Sequence, residues 1–183
     1  MHRANEPIKV ISQTPFLRLV TIGSWSFVQR AGTSGVVTVV ARTPEDEVLL
    51  VEQFRPPVQA RVIELPAGLA GDIAGSEDES LELAARRELL EETGFEAESM
   101  KRLFSGPSSA GLTDEVITFF LADGLKQVGP GGGDESERIV VHRVPMKELD
   151  AWLAAKVDAG CLLDARLFSG LYFLRVSSER TFT

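Results

Sequence analysis

The sequence predicts an α/β domain, a mixed sheet with a few helices on its faces. Three observations point there. The first third is a succession of short Val, Ile, Leu and Phe runs broken by turn-formers. A long segment without glycine or proline follows, from Glu77 to Thr93. The remainder alternates further strand-like runs with two helix-like segments near the end.

In the first third, Phe16–Val20, Trp25–Gln29, Val36–Ala41 and Val48–Phe54 read as strands. They are separated by Gly23-Ser24, Gly32-Thr33-Ser34-Gly35 and Pro44-Glu45-Asp46. Val48-Leu49-Leu50-Val51 is an unbroken apolar run, the pattern of a strand covered on both faces. Val62–Leu65 is a further short strand stopped by Pro66, and Gly68–Ser76 reads as a small-residue loop. Glu77–Thr93 consists of strong helix formers. Ser76 with Glu79 resembles a capping box, and Gly94 is placed to end the helix in the left-handed region. Acids crowd the first turn, where the helix dipole favours them. Met100–Phe104, Val116–Ala122 and Ile139–Val144 read as strands, and the glycine-rich stretch 129–137 between the last two does not suit regular structure. Met146–Lys156 and Asp164–Phe173 read as closing helices, and no repeat or linker divides the chain.

The 183 residues suit one domain, or one domain with a small appendage. A hydrophobic share of 44 % with 25 % charged residues is an ordinary globular composition. Acids outnumber bases 27 to 19, a net charge of −8, which argues against non-specific nucleic-acid or anionic-membrane binding. Phosphate binding by such a chain calls for a divalent cation. The one cysteine, Cys161, excludes an internal disulfide and fits a reducing compartment. The N-terminus has no apolar signal-peptide core, and no apolar run approaches the roughly 20 residues of a membrane span. The expectation is a soluble, cytoplasmic protein with neither nucleic acid nor membrane as partner.

The helix carries the chemistry. At about 100° per residue, Glu92 lies roughly 40° and Glu91 roughly −60° from Glu88, so three carboxylates share one arc. Leu81, Ala84 and Ala85 fall on the same side one to two turns earlier, so the acids extend the inward face. Clustered like charges beside apolar surface repel one another and are costly to desolvate. Hard cations such as Mg²⁺ or Mn²⁺ neutralise such a set of oxygen ligands. The ordinary alternative is a solvated acidic face paired with Arg86 and Arg87.

The full string decides between these. Glu79, seven residues, then Arg87-Glu88-Leu89-Leu90-Glu91-Glu92-Thr93-Gly94-Phe95 resembles the Nudix box, Gly-x5-Glu-x7-Arg-Glu-U-x-Glu-Glu-x-Gly-U with U apolar. Every position from Glu79 onward is filled. The opening glycine matches Gly68, but ten residues separate it from Glu79 where the box has five, an insertion within Gly68–Ser76. The resemblance implies a Nudix α/β/α sandwich with a mixed sheet. It also implies divalent metals that bridge a diphosphate, with Mg²⁺ the expected cofactor and Mn²⁺ an alternative. Glu88 and Glu92 are then the principal metal ligands, Glu91 assists, Arg87 orients these carboxylates, and the Ala67 carbonyl resembles a backbone ligand.

Val51-Glu52-Gln53-Phe54-Arg55 followed by Glu64-Leu65-Pro66-Ala67-Gly68 is similar to the signature of ADP-ribose pyrophosphatases and related nucleoside-diphosphate-sugar hydrolases. The resemblance implies phosphate contact by Arg55 and a substrate-side role for Glu64. Asp134-Glu135-Ser136-Glu137 matches the acidic loop that supplies the general base, so Glu135 or Glu137 takes a proton from the attacking water. Ser108–Glu115 aligns with a loop whose marker proline is Ala110 here, which keeps sugars other than ribose open. Glu115 in this loop is a candidate substrate contact. Trp25 reads either as a core residue or as a base-stacking residue serving a neighbouring subunit.

These readings converge on a metal-dependent hydrolase of nucleoside-diphosphate sugars, with ADP-ribose cut to AMP and ribose 5-phosphate. GDP-mannose or another nucleotide sugar is the alternative substrate, and a nucleotide-sensing regulatory Nudix domain is the non-enzymatic alternative. The expected organisation is an antiparallel strand region over residues 1–35 that serves homodimerisation, followed by the Nudix domain over 36–183.

Overall fold

The computed structural model describes residues 6–133 and 138–175. In chain order the elements are β1 Lys9–Gln13, β2 Leu17–Ile22, β3 Trp25–Arg30, β4 Gly35–Ala41, β5 Glu47–Arg55, β6 Ala60–Glu64 and β7 Ala67–Ala70. Helix α1, Leu81–Thr93, comes next, then β8 Phe95–Pro107, β9 Val116–Gln127 and β10 Val140–Pro145. The described chain closes with α2 Leu149–Asp158, β11 Leu162–Leu163 and α3 Ala165–Arg175.

The first three strands form an antiparallel sheet of their own. The others form two mixed sheets, ordered β7-β4-β9-β8 and β10-β5-β6-β11. The parallel pairs are β4 with β9 and β6 with β11.

Side-chain alternation along the strands creates two cores. Val37, Val39 and Ala41 of β4 join Leu49 of β5 and pack with Ala84, Ala85 and Leu89 of α1. Val36 and Val40 of β4 and Leu50 of β5 join Leu149 of α2 and Leu167 of α3 in the other core. The sheets therefore lie between α1 on one side and α2 with α3 on the other, as the sandwich expectation requires. Val48, Leu49, Leu50 and Val51 are each fully buried, in agreement with the unbroken apolar run.

Several boundaries differ from the sequence reading. Helix α1 begins at Leu81, and its N-cap is Ser80, whose hydroxyl accepts from the Leu83 amide at 3.3 Å. Ser76 is instead at the start of a tight turn closed by the Glu79 amide at 2.9 Å, so no capping box forms there. The carboxylate of Glu79 is held by Arg87, one turn and more into the helix. Residues 67–70, read as loop, form β7 because β4 offers an open edge: Gly35 through Thr38 pair with Ala70 through Ala67. Alanine and glycine carry little strand signal of their own. Strands β8 and β9 continue as one long hairpin to Gln127, well past their apolar centres. Gly94 does close α1, at φ 75°.

The N-terminal sheet is tied to the loop between β8 and β9. The Val28 amide donates to the Leu112 carbonyl at 2.8 Å, and Gln29 donates to Asp114 at 2.5 Å.

Candidate active site

A polar cleft of about 250 Å³ opens where β3, β5, β7, α1 and α3 meet. Its lining holds four acids and three arginines, with Glu115 paired to Arg30. Asp72, Glu88 and Glu92 come from the α1 side, while Arg30, Arg55 and Arg166 come from β3, β5 and α3.

Glu88 and Glu92 project one helical turn apart from the face of α1 that packs on the sheet. Glu92 is buried at 3 % exposure, and its Oε2 accepts from the Ala67 amide at 3.0 Å. The Glu88 side chain is 12 % exposed. Burial pushes its carboxyl up to about 7; Arg87 pulls against this shift, and Glu91 and Asp72 add to it by repulsion. A Cβ at position 68 would stand 2.0 Å from the Glu88 carboxyl carbon, so only glycine lets β7 pass this close to the helix. Glu91 is half exposed and lies at the edge of the group.

Arg87 holds the acids in place. Its Nη1 donates to Glu88 at 2.8 Å and to Glu91 at 3.0 Å, while Nε and Nη2 engage Glu79 at 3.1 and 3.2 Å. Nη2 also donates to the Leu69 carbonyl at 2.7 Å, and Asp72 stands 3.5 Å away. Burial alone would lower the guanidinium's pKa, but these carboxylates hold it above the ordinary arginine value. Four carboxylates thus share one cation, and Glu92 adds a fifth acid nearby.

Among the described residues, no three acidic, histidine or cysteine side chains converge closely enough to hold a metal as they stand. The donor set still fits a hard cation. It is all oxygen, it carries an excess of negative charge, and one of its members is desolvated enough to hold a proton near neutral pH. A cation bound there would compete with Arg87 for Glu88 and Glu91 and would relieve their repulsion.

Beyond α1, the chain from 129 to 133 folds back over the helix end. The Gly132 amide donates to the Glu92 carbonyl at 2.8 Å and the Gly133 amide to the Glu91 carbonyl at 3.0 Å. A Cβ on Gly131 would meet the Thr93 carbonyl carbon at 2.3 Å, and its φ of 65° is likewise suited to glycine. Glu135 and Glu137, expected to supply the general base, lie outside the described residues.

The remaining expected residues fall in three settings. Arg55 lines the cleft and donates to Glu64 Oε2 from Nε at 2.9 Å, while the Glu64 side chain is only 4 % exposed beneath it. Glu115 lines the cleft and is paired with Arg30 at 2.8 Å. Trp25 is not core. It is 49 % exposed and borders an apolar recess of about 320 Å³ with Ile22, Phe27 and Ala110. Sequence reasoning passed over Arg30, Asp72 and Arg166. Arg30 and Arg166 are far from the box in sequence, and Asp72 sits in the inserted loop, where no spacing rule applies.

Comparison with known proteins agrees with this architecture. The NUDIX domain profile matches residues 33–164, and the chain belongs to the Nudix family. It is 36 % identical over 123 residues to a methanol dehydrogenase activator of Bacillus methanolicus, covering 67 % of this chain and 64 % of that protein. It is 34 % identical over 115 residues to an ADP-ribose pyrophosphatase of Bacillus subtilis strain 168, covering 62 % of this chain and 60 % of the relative. The chain thus spans just under two thirds of the length of these curated relatives. A crystal structure of an ADP compounds hydrolase superposes with a TM-score of 0.70 at 20 % identity, over 92 % of this chain and 90 % of that one, which is a likeness of fold.

Proposed function

We propose that this protein is a divalent-metal-dependent hydrolase of nucleoside-diphosphate sugars, with ADP-ribose as the foremost substrate and AMP and ribose 5-phosphate as products. One observation carries the reading: Glu88, Glu92 and Ala67 line one cleft together with Arg55, so acids suited to a cation and a guanidinium suited to phosphate serve the same ligand space.

Glu88, Glu92 and the Ala67 carbonyl, with Glu91 assisting, are the residues that would hold Mg²⁺ or Mn²⁺. The bound cation supplies charge neutralisation of the diphosphate and a lowered pKa for a bound water. Arg87 orients the carboxylates, and Arg55 binds a phosphate oxygen by charge-assisted hydrogen bonds. Glu135 or Glu137 accepts the proton of the attacking water. The likeness of Asp134–Glu137 to the acidic loop of related hydrolases supports this assignment. Trp25 and its apolar recess suit a nucleobase, and Glu115 suits a contact on the substrate side.

A GDP-mannose or other hexose-linked substrate is the second reading. Ala110 favours it: it replaces the marker proline of the ADP-ribose signature, which loosens that assignment. Residues 1–35 serve homodimerisation in this proposal. Their sheet leaves Val10, Ile11, Leu17 and Leu19 between 42 % and 61 % exposed, an apolar surface suited to a second copy. Among the described residues no helix is long and apolar enough to cross a membrane, and a cytoplasmic location is part of the proposal.

The test is kcat/KM for ADP-ribose, GDP-mannose, ADP-glucose, NADH and dGTP with Mg²⁺, followed by product analysis. The expected order places ADP-ribose or GDP-mannose first. A preference of about tenfold for dGTP, roughly 1.4 kcal/mol in transition-state binding, overturns the nucleotide-sugar assignment. Light scattering at micromolar concentration gives a dimer of about twice the 19.9 kDa chain mass; a monomer refutes the assembly.

A further inference from the structure

Glu64 is almost fully buried, yet it is gripped from two sides by arginines that both reach the cleft. Its Oε2 accepts from Arg55 Nε at 2.9 Å and Nη2 at 2.8 Å, and its Oε1 accepts from Arg166 Nη2 at 3.2 Å. Arg166 is held a second time by Asp164, whose carboxylate accepts from its Nε at 2.9 Å and from its backbone amide at 2.7 Å. Asp164 is placed by the short parallel pairing of β11 with β6, through its own amide to the Ile63 carbonyl at 3.0 Å. One buried carboxylate thus sets two guanidiniums side by side, each with its orientation fixed before any ligand arrives. Neither Arg55 Nη1 nor Arg166 Nη1 has a hydrogen-bond partner among the described residues.

Building on the diphosphate reading above, we infer that Arg55 and Arg166 form a paired phosphate clamp. In it Arg166 is a substrate-binding residue, and Glu64 is a positioning residue that never touches the substrate. With its Nε and Nη2 committed to carboxylates, each guanidinium keeps Nη1 for a phosphate oxygen, so the pair offers one charged donor from each side chain, and prior orientation removes much of the ordering cost. The pair lines the same cleft as Glu88 and Glu92, so the phosphate it grips belongs to the diphosphate that those acids address. A simple staple between α3 and β6 would need only the Asp164–Arg166 and Glu64–Arg166 contacts, with no second arginine on Glu64 and no opening to the cleft. The clamp also gives the C-terminal helix, which holds no residue of the box, a direct part in recognition.

The experiment measures binding of inorganic pyrophosphate with Mg²⁺ by calorimetry, together with steady-state kinetics on the best substrate of the panel. Wild type, Arg166→Gln, Arg166→Lys, Arg55→Lys and Glu64→Gln are compared, with thermal melting as the check on folding. Arg166→Gln is expected to weaken pyrophosphate binding and raise KM about tenfold, with kcat within about threefold of wild type. Arg166→Lys recovers part of this loss because it keeps the charge but not the fork. Glu64→Gln produces a KM defect of the same kind although it stays buried. An unchanged pyrophosphate Kd and KM in Arg166→Gln, with only a lowered melting temperature, makes Arg166 a structural staple and overturns the clamp. If Arg166→Gln does not fold, Arg166→Lys decides: wild-type Kd and KM overturn the clamp, and a rise in both supports it. Pyrophosphate requires no sugar or base, so the clamp stands or falls by it even if the nucleotide-sugar panel selects another substrate class.

Discussion

Glu52 and Glu88 are both largely buried glutamates, one facing α2 from β5 and the other facing the cleft from α1, and their surroundings have opposite character. Glu52 accepts from Lys156 at 2.6 Å and from His142 at 2.8 Å, and it is paired with Arg61 as well. Burial alone would raise its pKa, but these three partners hold it at about 2. Lys156 also lies over the Trp152 ring at 5.1 Å, and His142 meets the same ring edge-on at 4.9 Å, so the cluster pins α2 to the sheet. Around Glu88 the ratio is reversed: Asp72, Glu79 and Glu91 compete with it for one arginine, and its carboxyl is pushed up to about 7. Where cations outnumber the acid, the charge is satisfied within the fold. Where acids outnumber the cation, the fold leaves a deficit that a ligand cation can fill. Both residues belong to family-like motifs, so motif membership alone does not separate structural charge from functional charge.

The largest expected effect breaks the metal side of this comparison. Glu92→Gln or Glu88→Gln should lower turnover at least about a hundredfold, roughly 3 kcal/mol of barrier, in assays at saturating Mg²⁺. Melting of the metal-free protein should be unchanged or raised, because carboxylate repulsion is relieved. Half-exposed Glu91, changed to Gln, should cost less than either. Near wild-type turnover in both buried mutants removes α1 from the metal site.

Glu52→Gln should do the reverse. It leaves Lys156 and Arg61 facing a neutral amide and should cost about 2 kcal/mol, which lowers the melting temperature by about 4–8 °C in a chain of this length. The kcat should stay within about twofold, since no atom of this cluster lines the cleft. A large kcat loss without loss of stability would show that the two centres are not separate.

Gly68→Ala sharpens the geometry of the acid side. The added methyl would meet the Glu88 carboxyl at 2.0 Å. The Mg²⁺ concentration needed for half-maximal activity should rise about tenfold with little change in melting. An unchanged Mg²⁺ requirement would mean that Glu88 has room to spare.

The smallest effect is the pH dependence of stability. Glu52 has a folded pKa of about 2 against an ordinary 4.5, so the unfolded chain takes up a proton first as pH falls. Its contribution is therefore complete above about pH 5 and is lost as pH falls from there toward 2, on the order of 1–2 kcal/mol after allowance for solvent screening. His142, held below its ordinary 6.5 mainly by burial, acts in the same direction: the unfolded chain protonates first below that value. Urea midpoints at pH 7 and pH 3.5 should differ more in wild type than in Glu52→Gln. Equal differences would detach the acid sensitivity from this cluster.

Much of this was readable along the chain. The run at Val48–Val51, the end of α1 at Gly94 and the inward arc of Glu88 and Glu92 follow from local rules of burial, capping and helical period, and the structure bears them out. The helix start did not follow, because two serines four residues apart both suit a cap. Glu79 is committed to Arg87, and the turn closing on Ser76 leaves Ser80 as the cap. Strand β7 did not follow either, because pairing with β4 is a property of the neighbour and not of an Ala-Gly-Leu-Ala string.

By itself the sequence determined the family, the acids of α1 and the order of the main elements, β1, β7 and β11 excepted, since these depend on residue type and near-neighbour spacing. Only the tertiary structure decided that Glu91 stands at the edge while Glu92 is buried, that Trp25 lies half exposed on a recess, and that Arg30 and Arg166 arrive at the cleft from opposite ends of the chain. Those outcomes depend on which strands pair and which helix packs on which face. Contacts between residues about a hundred positions apart, such as Arg166 with Glu64, leave no period or spacing to read.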